Sequence, residues 1–150
     1  MTRADLPMLA EWLTSAEVSA WWKGPEHQLD LLIQDLDDPA MTQLIVIMDD
    51  MPVAYAQHHD AHQWHAPHLA DLPEGAIALD VFSAPTGFGK GSRWLQALGD
   101  LLLHHAGTLA VDSAPQNLRA IRAYRKAGFF GDQVRLDTDG HPARVMTRLR

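Results

Sequence analysis

Ala76-Ile77-Ala78-Leu79-Asp80-Val81-Phe82, then Gly87-Phe88-Gly89-Lys90-Gly91, then Ser92-Arg93-Trp94-Leu95-Gln96-Ala97-Leu98-Gly99-Asp100-Leu101-Leu102 form the centre of the chain. The first segment is apolar apart from Asp80 and reads as a strand. In the last, Trp94, Leu95, Leu98, Leu101 and Leu102 share one helical face. The glycines between them tolerate positive φ and let backbone approach a ligand closely. A helix that starts there offers open N–H groups and the positive end of its dipole. Lys90 adds a charge, so the loop reads as a cradle for the phosphates of a coenzyme. A dinucleotide fingerprint needs glycine at position 92, where Ser92 stands. A P-loop needs Ser or Thr after the lysine, and Gly91 follows Lys90. A glycine-rich turn that merely links strand to helix remains open at this point.

Toward the N-terminus, Leu6, Leu9, Ala10 and Leu13 have amphipathic helix spacing, with Thr2 and Asp5 as its cap. Leu29, Leu32, Ile33 and Leu36 repeat the spacing, and a short segment from Ser15 to Trp22 separates the two. Leu44-Ile45-Val46-Ile47-Met48 is β-branched and apolar and predicts a central strand. After a turn from Asp49 to Pro52, Val53 to His58 forms the second arm of a hairpin. His59 to Gly75 reads as a long polar loop. Beyond the central stretch, Leu109-Ala110-Val111 is a short strand. Pro115 suits the first turn of a helix whose Leu118, Ile121 and Tyr124 face inward and which Gly128 ends. Phe129 to Leu136 and Ala143 to Leu149 read as two strands joined through Asp139-Gly140. The order predicts an α/β, or layered α+β, domain with helices on both faces of a mixed sheet.

With 150 residues, 47% of them hydrophobic, one domain spanning 1–150 suffices for a proper core. No apolar run approaches the ~20 residues of a membrane span, so no membrane partner is expected. There is no cysteine, which excludes disulfides, thiolate metal sites and a cysteine nucleophile. The cytoplasm is the expected compartment. The net charge of -7 argues against nucleic acid and suits a cationic substrate, although acidity also serves solubility alone.

Thr86-Gly87-Phe88-Gly89-Lys90-Gly91 resembles the Q/R-x-x-G-x-G/A loop of the GCN5-related N-acetyltransferases (GNAT superfamily). Asn117-Leu118-Arg119-Ala120-Ile121-Arg122-Ala123-Tyr124-Arg125-Lys126-Ala127-Gly128-Phe129 resembles that superfamily's N-x-x-A-x-x-x-Y-x-K-x-G-F signature. The two are separated, as in the superfamily, by one helix and one strand. Within it the chain is most similar to the aminoglycoside 6'-N-acetyltransferases. Leu6 to Leu13, Trp21-Trp22, Tyr55-Ala56-Gln57, Asp80 and Asp112 followed by Ser113-Ala114-Pro115-Gln116-Asn117 carry that likeness. There are departures. Thr86 stands in place of Gln or Arg, the segment between Asp80 and the loop is shorter, and the strand that precedes the first helix is missing.

The resemblance implies a GNAT-like, mostly antiparallel central sheet and acetyl-CoA as co-substrate. It implies direct transfer of acetyl to the primary amine of a small cationic, aminoglycoside-like acceptor, and hence antibiotic resistance. Tyr124 is then the general acid for the CoA sulfur, since a tyrosine keeps its proton at neutral pH. Asp80 aligns the amine or accepts its proton, with Asp112 beside the same cleft. The backbone of Val81, Phe82 and Ser83 pairs with the pantetheine. Gly87, Phe88, Gly89, Lys90, Gly91 and Ser92 hold the pyrophosphate, and Asn117 lies on the CoA side. Trp22, Tyr55 and Gln57 join Asp80 and Asp112 around the acceptor. No metal is expected. His58, His59, His62, His65 and His68 read as a polar lid over the acceptor, with a histidine base as the alternative. A monomer or homodimer is expected. Another amine or hydroxylamine as acceptor, or a CoA-binding module without turnover, are the competing readings.

Overall fold

The computed structural model describes residues 1–150. The helices are α1 (Leu6–Thr14), α2 (Ala16–Ser19), α3 (Pro25–Asp35), α4 (Gly91–Leu102) and α5 (Leu118–Lys126). The strands are β1 (Thr42–Met48), β2 (Met51–Asp60), β3 (Ile77–Ser83), β4 (Thr108–Ser113), β5 (Val134–Leu136) and β6 (Pro142–Leu149). They form one six-stranded, mostly antiparallel sheet in the order β1-β2-β3-β4-β6-β5. The mixed α/β class read from the sequence is the class observed. The first regular element is a short 3-10 turn, Arg3–Asp5, leading into α1. There the Thr2 N–H donates to Asp5 Oδ2 at 2.7 Å.

Two compact units divide the chain, each made of two segments. The first is Met1–Gln57 with Val81–Gly89. Its core joins Leu9, Trp12 and Leu13 of α1 to Val18, Leu32, Tyr55, Phe82 and Ala84, with Trp22 and Leu29 packed against them. The second is His58–Asp80 with Lys90–Arg150. Here β3 and β4 run parallel, Ile77 facing Leu109 through Leu79 facing Val111. Strand β4 is also antiparallel to β6 from Thr108–Leu149 to Ser113–Arg144. Arg148 of β6 reaches across α4, donating to the Gln96 carbonyl at 3.0 Å and pairing with Asp100.

Several sequence expectations are corrected. β1 is not central: it lies at the sheet edge, and Ile47 is 64% exposed. A β-branched run reports fitness for a pleated surface, not position within a sheet. Its turn is only Asp49-Asp50, both at positive φ, and β2 runs on to Asp60. Two consecutive positive φ values match the twist of a two-residue hairpin. The loop expected from His59 therefore starts later, and it contains a 3-10 turn, Pro67–Leu69. Pro115 lies ahead of α5, which starts at Leu118 with Asn117 as its cap. Leu118 and Leu101 are exposed, not inward-facing. Leu118 is the first residue of its helix, before the core is reached, and Leu101 sits at the margin of the apolar stripe. The strand expected over Phe129 to Leu136 is broken: Phe130 bridges Thr147 and regular pairing resumes only at Val134.

Candidate active site

The parallel register of β3 and β4 ends at Leu79–Val111. The next residue on each strand is an aspartate, Asp80 and Asp112. In-register residues of neighbouring strands point to the same face, so the two carboxylates stand side by side at the C-terminal end of the parallel pair. Ligands bind in open α/β sheets at that end of the strands. Past Asp80, β3 continues through Val81, Phe82 and Ser83.

Tyr124 reaches the same place from α5. It is buried beside Phe129, at 6.4 Å between ring centroids. Burial, and then the carboxylates of Asp112 and Asp80, push its pKa well above the ordinary phenol value. The hydroxyl therefore keeps its proton throughout the neutral range. The structure thus gathers Tyr124, Asp80 and Asp112 into one electrostatic group, although more than forty residues of sequence separate Asp80 from Tyr124.

α4 begins at Gly91 with Lys90 as its cap residue, and no side chain bonds its first turn. The N–H groups of Gly91 and Ser92 thus point out of the helix with no intrahelical acceptor. An anion of pyrophosphate type fits there, with the dipole and the exposed Lys90 ammonium in support. The preceding loop is held by its own contacts. Thr86 Oγ1 donates to the Pro52 carbonyl at 2.8 Å. A Cβ on Gly87 would lie 2.0 Å from the Val53 carbonyl oxygen, so Gly87 is required by close approach to β2. Gly89, at φ +80°, turns the chain toward the helix. Phe88 is half-buried between them.

Asn117 caps α5, its Oδ1 accepting the Ala120 N–H at 3.2 Å. That job leaves its amide nitrogen as the group to offer a ligand. Asp112 itself lies within β4.

In the first unit, Trp22 packs edge-on against Phe82 at 4.9 Å and Tyr55 at 6.3 Å. Tyr55 is fully buried and donates to Gln57 Oε1 at 2.6 Å. These three expected acceptor residues form a small aromatic and polar cluster within that unit.

One residue not singled out by sequence joins the carboxylates. His68 sits in the 3-10 turn, with its side chain 10% exposed and Nε2 3.7 Å from Asp112 Oδ1. That is an ion-pair distance, longer than a hydrogen bond. Five histidines within eleven residues were a visible signal, but nothing in their spacing marked this one. The others differ. His62 Nε2 bonds the Leu72 carbonyl at 3.0 Å, and His59 meets Trp64 edge-on, ring centroids 4.5 Å apart. His58 is pushed below the usual imidazole value by burial and by the neighbouring His59. Asp137, Asp139 and His141 cluster in the β5–β6 turn, where Asp137 Oδ1 accepts the N–H groups of Asp139 and His141.

Residues 2–135 match the family described as an acetyltransferase (GNAT) domain. Across its whole length the chain is 32% identical to the aminoglycoside N(6')-acetyltransferase type 1 of Klebsiella pneumoniae, covering 81% of that protein. It also matches the structure of AAC(6')-Ib in complex with ribostamycin and coenzyme A. There the TM-score is 0.81 and the identity 31%, over 100% of this chain and 90% of that one. An aminoglycoside N(6')-acetyltransferase from Legionella pneumophila, at 20% identity and TM-score 0.79, shares the fold over 99% of this chain and 88% of its own.

Proposed function

Because the chain belongs to the GNAT acetyltransferase family, we propose that it transfers acetyl from acetyl-CoA to a primary amine of an aminoglycoside, conferring resistance in the cytoplasm. The observation that carries this is the grouping of Tyr124, Asp80 and Asp112 at the end of the parallel strand pair. The named relatives, matched over the full length of the chain, supply the substrate class.

The chain's own residues perform the following work. Gly91 and Ser92 N–H groups, with Lys90, hold the coenzyme's pyrophosphate at the start of α4. Bound acetyl-CoA supplies an activated acyl group on sulfur. Asp80 and Asp112 attract the acceptor ammonium and orient it, and Asp80 takes the proton the nitrogen must lose before it can attack. The amine nitrogen forms the new C–N bond as the C–S bond breaks; Tyr124 gives its proton to the departing sulfur and is reprotonated by the second proton the acylated nitrogen sheds, while the proton on Asp80 passes to solvent. The net products are the N-acetylated acceptor, free thiol and one proton. Holding both substrates at once removes much of the entropic barrier. From the family likeness, Trp22, with Tyr55 and Gln57 behind it, is assigned as an apolar wall for a sugar ring. The single domain is read as working as a monomer or homodimer.

A thiol-release assay with kanamycin, ribostamycin and spermidine tests this. Thiol release that depends on an aminoglycoside is expected. Thermal stabilisation by acetyl-CoA with no acceptor-dependent release would leave only a CoA-binding module.

A further inference from the structure

Asp112 is held from two sides. Its backbone pairs with Val145 of β6, and its carboxylate faces His68. Val145 also belongs to the apolar cluster of Ala61, Leu69, Ala76 and Ala78, against which Ala66 and Leu72 pack. The 3-10 turn bearing His68 is therefore anchored by its flanking residues to the strands that carry both aspartates. His68 Nδ1 is buried with no partner, so Asp112 is the polar contact that holds the ring.

We propose that His68 is a positioning residue for the acceptor: it fixes the Asp112 carboxylate and, by its own charge, sets how much negative charge that carboxylate offers to a cationic amine. The inference rests on the acetyltransferase reading above and deepens it. Other charged groups surround the imidazole, and Asp71 and Asp132 line the same cavity as His68. Asp112 lies on β4, Asp80 on β3 and Asp137 just after β5, and all three draw positive charge to His68. Tyr124 of α5 faces the same carboxylates with its proton retained. The nearby arginines are engaged elsewhere. Arg135 of β5 pairs with Asp71 at 2.6 Å, and Arg144 of β6 donates to the Gly131 carbonyl.

The Asp112 carboxylate raises the His68 pKa above the usual imidazole value, against the opposing pull of burial. Protonated His68 thus persists to higher pH than an isolated histidine. While it does, Asp112 is partly neutralised. As pH rises through the raised value, His68 loses its charge and Asp112 presents its full charge to the acceptor ammonium.

The test compares the parent with His68→Gln, which keeps a donor but does not titrate, in steady-state kinetics with kanamycin from about pH 6 to about pH 9. The acceptor's own titration cancels in the ratio of the two KM values. At the acid end the parent's KM is expected to exceed the variant's by roughly three- to ten-fold. That gap is expected to close or reverse at the alkaline end, with kcat changed little throughout. A KM ratio that is flat in pH, or an effect confined to kcat, overturns the proposal. A second measurement needs no turnover. The His68 imidazole is titrated by NMR in the parent and in Asp112→Asn, where the raised value is expected to fall toward that of a free histidine. An unchanged value in Asp112→Asn overturns the pair even in an enzyme active on kanamycin. Absent turnover alongside the expected NMR shift leaves the pair standing and overturns the kanamycin reading instead.

Discussion

Tyr124 shows how much a single residue type conveys and where that ends. Its place in a stretch that resembles the GNAT signature made it the expected acid. Its burial and the two carboxylates acting on it come from elements that no local pattern connects. A hydroxyl held protonated in this way has one proton to give, and removing it removes that transfer alone. Tyr124→Phe is expected to lower kcat by about 10-fold to about 1000-fold. Acetyl-CoA affinity, measured by calorimetry, should change little. Unchanged turnover would strip Tyr124 of this role. Thr86 carries the opposite lesson. By resemblance it is a lost phosphate contact, whereas the structure gives its hydroxyl a bond to the Pro52 carbonyl, a tie within the protein.

At the scale of elements, the glycine loop combines two requirements that look the same in sequence. Gly89 supplies a positive φ, while Gly87 makes room for the Val53 carbonyl of β2. The same carbonyl accepts the Ala84 N–H at 2.9 Å, so it is not able to retreat without breaking that bond. Gly87→Ala is therefore expected to destabilise the fold by about 2 kcal/mol or more, seen as a lower Tm. A Tm within a degree or so of the parent would show that the loop shifts easily. For α1 the start was legible only in part: Thr2 and Asp5 are paired in space, but they close the 3-10 turn ahead of the helix, whose own cap residue is Asp5. For α5, Pro115 suggested too early a start, because Asn117 provides a side-chain cap two residues later. The edge position of β1 was illegible, since strand order depends on pairing between distant segments and not on composition.

At the scale of the whole molecule, nineteen acidic against twelve basic residues leave a charge of -7. Charge of this sign draws a polycationic acceptor toward the site and is screened by salt, with a Debye length of about 10 Å at 0.1 M. Raising ionic strength is thus expected to increase KM for kanamycin several-fold while leaving kcat nearly unchanged. A KM indifferent to salt in steady-state assays would confine the attraction to the close carboxylates. The α/β class, the strand–glycine–helix unit and the family were legible along the chain, because they follow from periodicity, backbone freedom and motif spacing. Only the tertiary arrangement brought Asp80 and Asp112 to the end of one parallel register, buried Tyr124 beside their carboxylates, and set His68 rather than its four neighbours against Asp112. Each of these depends on segments brought together by burial of apolar surface, and that burial is non-directional in sequence.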